Sequence, residues 1–285
     1  VDSITGGARG AREGARALYQ ESEALRKSGD INGAMEKRLQ MLRLRGTASS
    51  TLAALTGYAI QDMALYRLSS IASQLSAESS QKYAAELKEL EAKIPTYAAM
   101  LEHEKVDEIK QVDSITRKPG EWEKLIKGFG FKPQQQAALE KMTPAQVKAN
   151  IAKVYDSRIA RAKRPYGVNE ADPTVDAYTN YVTNDWGLAR FLWTKNKTLR
   201  LFTIVALDRK TDHSLNRERV GPLPDDPFGS GPLKEKGGHV YSVGPDTIDD
   251  GGSSGTEAGQ FKPSTKGDMQ MPLFSPMRHL AQPID

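Results

Sequence analysis

The chain has no cysteine, which removes disulfides, zinc–thiolate centres, iron–sulfur clusters and cysteine nucleophiles together. Histidine is scarce as well. His103, His213, His239 and His279 stand far apart, so no pair has the helical or loop spacing of metal ligands. No stretch approaches the ~18 uninterrupted apolar residues that a membrane-spanning helix needs. A secretory signal peptide is missing too, and the first residue is Val1 rather than Met. A processed or truncated form, its targeting segment removed, is therefore expected. Phosphate-loop and dinucleotide-binding signatures are also absent, which takes away the usual signals of nucleotide chemistry and Rossmann-type redox.

Enough remains to build a core. Hydrophobic residues make up 38% of 285 positions before the 24 glycines are added, which brings the apolar share near the ~45–50% of ordinary soluble proteins and argues against global disorder. The net charge is +4, with both signs mixed along the chain. Arg9, Arg12 and Arg16 would share one helix face, and Lys153, Arg158, Arg161, Lys163 and Arg164 form a second basic cluster. Nucleic-acid surfaces usually interleave such charges with aromatics or sit in a recognisable module. Here the clusters read as solvated faces, and no nucleic-acid partner is expected.

Helical patterning dominates the first two thirds. Residues Ala8 to Lys27 are rich in Ala, Arg, Glu and Leu, Ser28-Gly29-Asp30 interrupts them, and Asp30 is placed to cap a second helix through Met35, Leu39 and Leu42. A helical hairpin follows. Thr47 to Leu75 carries a broad apolar stripe, and Ser79 to Leu101 repeats it with Pro95 expected to break the run near Ile94. Met35, Met41 and Met63 read as core filler. A short helix with Trp122 and Leu125 is expected between Arg117 and Gly130. Thr143-Pro144-Ala145-Gln146 then has the hydroxyl, proline and glutamine of a capping box, predicting a helix to about Ala162. Arg164-Pro165-Tyr166-Gly167 ends it. Leu188 to Lys210 regains helical spacing, and beyond Asp212 the prolines and glycines predict short strands and turns. The pentapeptide VDSIT occurs at Val1 to Thr5 and at Val112 to Thr116 without matching flanks, which reads as coincidence rather than a repeat.

The most informative stretch lies near the end. His239-Val240-Tyr241-Ser242-Val243 alternates as a strand, and Gly244-Pro245-Asp246 turns out of it into Thr247-Ile248-Asp249-Asp250-Gly251-Gly252. Asp246, Asp249 and Asp250 are candidate calcium ligands, with Glu257 or Asp268 folding back to complete the set, because calcium takes six to eight oxygens from carboxylates and turned carbonyls. The spacing is not that of an EF-hand. The alternative is that Asp and Gly simply form solvated turns, each Asp bonding its own backbone.

Asp226-Pro227-Phe228-Gly229, Pro232-Leu233, Tyr241-Ser242-Val243-Gly244 and Asp249-Asp250-Gly251-Gly252 together are similar to the C-terminal halves of type II secretion major pseudopilins. They also resemble the tails of planctomycete-type envelope proteins of unknown function. The resemblance covers about 75 residues and implies a helix, near Thr198 to Lys210, packed on a small antiparallel sheet with strands near Leu233 to Lys236 and Gly238 to Val243. It also implies calcium in the loop after the last strand. Glu235 stands where such proteins often have an aromatic residue, and about 190 largely polar-patterned residues precede the module where a pseudopilin has its apolar stem.

The expected architecture is thus α+β: a helical domain over 1–165, a junction over 166–187, and a pseudopilin-like module with an acidic loop and irregular tail over 188–285. The expected role is a non-enzymatic structural or interaction protein of the bacterial cell envelope, periplasmic or otherwise extracytoplasmic. It would bind protein partners and touch a membrane only through an anchor outside this chain. Three alternatives remain: a component of a secretion or pilus-like assembly, a cytoplasmic helical scaffold without metal, and a hydrolase using Asp225-Asp226 or Asp249-Asp250 as paired carboxylates.

Overall fold

Short polar side chains fix where the helices begin. In the computed structural model, which describes residues 2–44, 51–167, 171–183, 186–214, 221–253 and 261–270, α1 (Asp2–Lys27) and α2 (Ile31–Arg43) form the expected hairpin. The Asp30 carboxylate accepts the Gly33 N–H at 2.8 Å, satisfying one of the orphan donors of the first turn. Glycine at 33 permits that approach, since a Cβ there would stand 2.4 Å from the Asp30 carboxylate.

Thr47 lies outside the described residues, and α3 covers Thr51–Leu65. The apolar stripe expected to run through one helix to Leu75 is divided, because Arg67 adopts a left-handed φ of 56° and α4 (Leu68–Ala72) starts afresh. Leu68, Ile71 and Leu75 still reach the core, so the stripe survives the change of direction. Ser76 caps α5 (Ala77–Ala92). The break expected near Ile94 is present, but Thr96 then caps a further helix, α6 (Tyr97–Thr116), whose last turn holds the second VDSIT. Helices α7 (Glu121–Gly128), α8 (Pro133–Leu139) and α9 (Pro144–Ala162) follow. At the start of α9, Thr143 N–H donates to the Gln146 side chain at 2.7 Å and Gln146 N–H donates back to the Thr143 hydroxyl at 3.3 Å. Asp176 caps α10 (Ala177–Val182), and α11 spans Trp186–Ser214.

Three short strands complete an α+β chain: β1 (Lys234–Lys236), β2 (His239–Ser242) and β3 (Met269–Gln270). They form an antiparallel sheet in the order β1-β2-β3, with Glu235 opposite Val240 and Ser242 opposite Met269.

Buried side chains fall into two clusters. One joins α1 to α5 with Phe202, Val205 and Leu207 of α11 and with Phe228, Leu233, Val240 and Met269 of the strand region. The other is built from α6 to α10, with Tyr58 of α3 and Ala189 of α11 entering it. Helix α11 therefore serves both cores, and it carries polar groups inside. Thr194, Thr198 and Thr203 donate their hydroxyls to the carbonyls four residues back, which satisfies them within the helix. Lys195 pairs with Asp62, and Arg200 reaches Glu91 and the side-chain amide oxygen of Gln61. Arg38, fully buried, donates to the Ser22 hydroxyl at 2.9 Å, the Met63 carbonyl at 2.8 Å and Glu23 at 2.7 Å. Pairing of this kind is what makes buried cations tolerable.

Candidate functional site

Asp226 connects the two motifs that stand out in the C-terminal sequence. Its own N–H bonds the Gly231 carbonyl at 2.8 Å, and Leu233 N–H bonds the Pro224 carbonyl at 2.8 Å, closing the Asp-Pro-Phe-Gly turn into a small loop. The Asp226 side chain points inward. One carboxylate oxygen accepts the Phe228 N–H at 3.0 Å and the Ser242 hydroxyl at 2.6 Å, while the other accepts the Val243 N–H at 2.9 Å. A single carboxylate thus ties the turn to the end of β2. Burial pushes its pKa above the ordinary carboxylate value, and the donors from Ser242, Val243, Phe228 and Gly229 pull it back only in part.

Phe228, held by that turn, is fully buried and meets Tyr166 edge-on at 4.8 Å and Phe191 of α11 at 6.3 Å. The Arg190 guanidinium covers the Tyr166 ring at 5.3 Å. Arg209 of α11 completes the attachment by pairing with Glu235 of β1 at 2.6 Å. The helix and the sheet are in this way joined by an aromatic contact at one end and an ion pair at the other.

The acidic loop follows. Asp246 accepts the Gly267 N–H at 2.9 Å and the Ile248 N–H at 3.3 Å. Asp249 pairs with Lys234 at 2.5 Å and accepts the Tyr241 hydroxyl at 3.2 Å and the Gly251 N–H at 3.0 Å. Lys234 is the first cause holding the Asp249 pKa below the usual carboxylate range. Asp250 is exposed and contributes its N–H to Asp268 at 3.3 Å, and Gly252 N–H adds a second bond to Asp268 at 2.6 Å. Asp268 is buried. Burial raises its pKa, and the negative charges of Asp249 and Asp250 raise it further. Gly244 makes the closure possible: its φ is 72°, and a Cβ would stand 2.5 Å from the Gly267 carbonyl.

Asp249, Asp250 and Asp268 are therefore close enough to feel one another, and Asp246 is anchored to the same strap beside Gly267. Among the described residues no group of three His, Cys, Asp or Glu side chains converges with metal-ligand geometry. Chemically the donors suit calcium. In the present arrangement the oxygens of Asp246, Asp249 and Asp268 are engaged by amides, a hydroxyl and Lys234. Glu257 lies outside the described residues.

In neither carboxylate pair are both members buried. Asp226 is buried while Asp225 is exposed, and Asp249 and Asp250 both lie on the exposed face of the loop. The letters of a nucleophile elbow do occur at Gly251-Gly252-Ser253-Ser254-Gly255. That elbow belongs on a sharp strand-to-helix turn, whereas Ser253 follows a bend, its N–H on the Asp250 carbonyl and its carbonyl on Asp268 N–H. Ser254 and Gly255 lie outside the described residues, as does His279.

A second cluster was not anticipated from the sequence. Along α6, Tyr97, Leu101, Glu104, Glu108, Val112 and Ile115 succeed one another at steps of four and three, the spacing of a single core-facing stripe. Two of those positions are glutamates. The Glu108 carboxyl is pushed up to about 7 by burial first and then by the charges of Glu104 and Asp107. Tyr155 of α9 and Tyr178 of α10 face it, their phenols raised by burial and by Glu108, Tyr178 to about 12. Arg158, lowered to about 10 by burial, lies among Tyr155, Tyr97 and Glu104. Charged residues at core positions of an apolar stripe were the available signal.

No helix among the described residues is long and apolar enough to cross a membrane. Comparison of the chain with protein-family models, with curated proteins and with solved structures finds no match in any of the three.

Proposed function

We propose that this chain is a non-enzymatic structural or interaction protein of the cell envelope, in which a two-core helical body offers docking surface and the C-terminal strand region closes against α11. The observation that supports this reading is the use made of Asp226. Though buried, its carboxylate spends both oxygens on the turn and strand it joins. Binding, rather than turnover, is the activity such a rigid and internally satisfied module serves. Location in the envelope, and outside the cytoplasm, rests on the likeness of Asp226 to Gly229 and Tyr241 to Gly252 to pseudopilin-type C-termini. The helix-on-sheet contact through Arg209 and Glu235 also accords with membership of a secretion or pilus-like assembly. Affinity purification from native envelopes tests the main reading: partners recovered from the extracytoplasmic fraction support it, and recovery of the chain only with cytoplasmic proteins overturns its location.

Calcium stabilisation of the loop is the second reading, favoured by the mutual proximity of Asp249, Asp250 and Asp268. To bind there, calcium must displace Lys234 from Asp249, and it would stabilise only the folded loop. The melting temperature with millimolar calcium, compared with chelator, decides it. A rise that Asp249→Asn abolishes supports the metal, and an unchanged transition removes it.

A further inference from the structure

We infer that the groove between the end of α6 and α7 docks an acidic segment of a partner protein through one apolar side chain, an inference that rests on the interaction role proposed above. The groove encloses about 730 Å³. Its floor is apolar, formed by Ile115 at the end of α6 and by Leu125 and Phe129 of the α7 region, all half-buried. Its rim is basic. Arg117, Lys118 and Lys124 are exposed there, against a single carboxylate, Glu121, which pairs with Lys124 at 3.0 Å. Among the described residues neither Arg117 nor Lys118 has a carboxylate at salt-bridge distance. Glu121, its pKa lowered first by Lys124 and last by Lys118, leaves both Arg117 and Lys118 outside an ion pair beside the apolar floor.

The aromatic surface continues outward from the floor. Phe129 lies against Phe131 at 5.6 Å and meets Tyr181 edge-on at 4.7 Å. Tyr181 is 57% exposed and adjoins Phe129 and Phe131, and tyrosine is among the residues that concentrate binding energy in interfaces. A peptide fits better than a nucleic acid. Single strands bind by stacking successive bases on free ring faces, whereas Phe129 is stacked on Phe131 and in T-shaped contact with Tyr178 and Tyr181, so that of Phe129, Phe131 and Tyr181 only Tyr181 is largely exposed. An aliphatic or phenyl side chain entering the groove needs no free face, and flanking carboxylates would reach Arg117 and Lys118.

A labelled glutamate-rich peptide with one central phenylalanine, titrated with the full chain at low salt, tests the assignment. The expected result is saturable binding that weakens with added salt and falls roughly tenfold or more in Arg117→Glu/Lys118→Glu, as two reversed charges at one contact should produce. Replacing the peptide's phenylalanine by alanine is expected to weaken binding similarly. Both side chains are exposed, so the variant should keep the wild-type melting curve, and Leu125→Gln offers an independent block of the floor. Equal affinity for wild type and variants overturns the proposal, as does tighter binding of a single-stranded oligonucleotide than of the peptide. If a native envelope partner is retained equally by Arg117→Glu/Lys118→Glu, the groove is refuted while the interaction role stands.

Discussion

Replacing Glu108 by glutamine should stabilise the protein at pH 8 and flatten its pH dependence. The folded chain holds Glu108 at about 7 against an ordinary value of 4.5, so the folded state binds that proton more tightly than the unfolded one. Stability from this group is fully present below about pH 4.5 and is lost as pH rises through about 7. The shift sets an upper bound of about 3.5 kcal/mol at ~1.4 kcal/mol per unit. Glu108 is only partly buried, and screening lowers the figure to about 1–2 kcal/mol. Burial sets it first, then Glu104 and Asp107 on its own helix, while Tyr155 on α9 and Tyr178 on α10 feel its charge in turn.

Thermal unfolding at pH 5, 6, 7 and 8 measures this directly. Wild type should lose roughly 2–8 °C across that window through Glu108, using ~2–4 °C per kcal/mol for a chain of this size. Glu108→Gln keeps the side-chain volume and cannot ionise, so its curve should be flatter and should lie above wild type at pH 8. Carboxylates with lowered values, such as Glu23, Glu36 and Asp249, act in the opposite sense, and only as pH falls through their depressed values. They leave the window to Glu108 and to Asp226 and Asp268, whose values burial raises in the same sense, and the contribution of those two is common to wild type and variant. Parallel slopes for the two proteins would refute the reasoning.

Asp226→Ala should be severe, because the Ser242 hydroxyl and the Val243 and Phe228 amides lose their acceptor together. At ~1–3 kcal/mol for each buried orphan the loss is about 3 kcal/mol or more, while Asp226→Asn, which keeps one acceptor oxygen, should lose about half as much. Urea unfolding measures both, and a change for Asp226→Ala within about 0.5 kcal/mol would count against the stapling role. Arg38→Ala should cost about 3–5 kcal/mol, because a fully buried side chain is emptied and the Ser22 hydroxyl, the Met63 carbonyl and one oxygen of Glu23, which keeps Arg26, lose their donor. The double change Arg38→Met/Glu23→Gln should recover most of that loss, and a double variant no better than the single would show that the pairing is not what Arg38 supplies.

Local chemistry made much of this fold legible. Asp30, Thr143 with Gln146, and the strand at His239 each act within a few residues of themselves, and each behaves as its sequence predicts. The break at Arg67 carries no Gly or Pro to announce it, so periodicity ran through it. The beginning of α6 was masked by Pro95, whose effect stops at Thr96, where a new cap begins. Strand β3 was invisible because two residues have no pattern of their own, and only pairing of Ser242 with Met269 defines them. Glu104 and Glu108 escaped for a different reason: polarity at a core position looks like surface until the neighbouring helix is in place.

The acidic loop exposes a general ambiguity. A cluster of Asp and Gly after a strand satisfies two demands equally well, chelation of a hard cation and capping of backbone amides in tight turns. Composition cannot separate them, since both need short carboxylates and permissive backbone. What separates them is the count of amides within reach. Asp246 and Asp268 bind amides from both sides of the strap, and Asp249 has Lys234 in the place a cation would take. A lysine opposite the loop, on the neighbouring strand, is readable in sequence once β1 and β2 are paired, because Lys234 opposite Tyr241 sets the ammonium beside the residues that follow β2. The same lysine therefore fixes what calcium must overcome: Lys234→Met should leave Asp249 without its charge partner and make any calcium response of the melting curve larger, whereas an unresponsive Lys234→Met would mean that the loop's carboxylates serve the backbone alone.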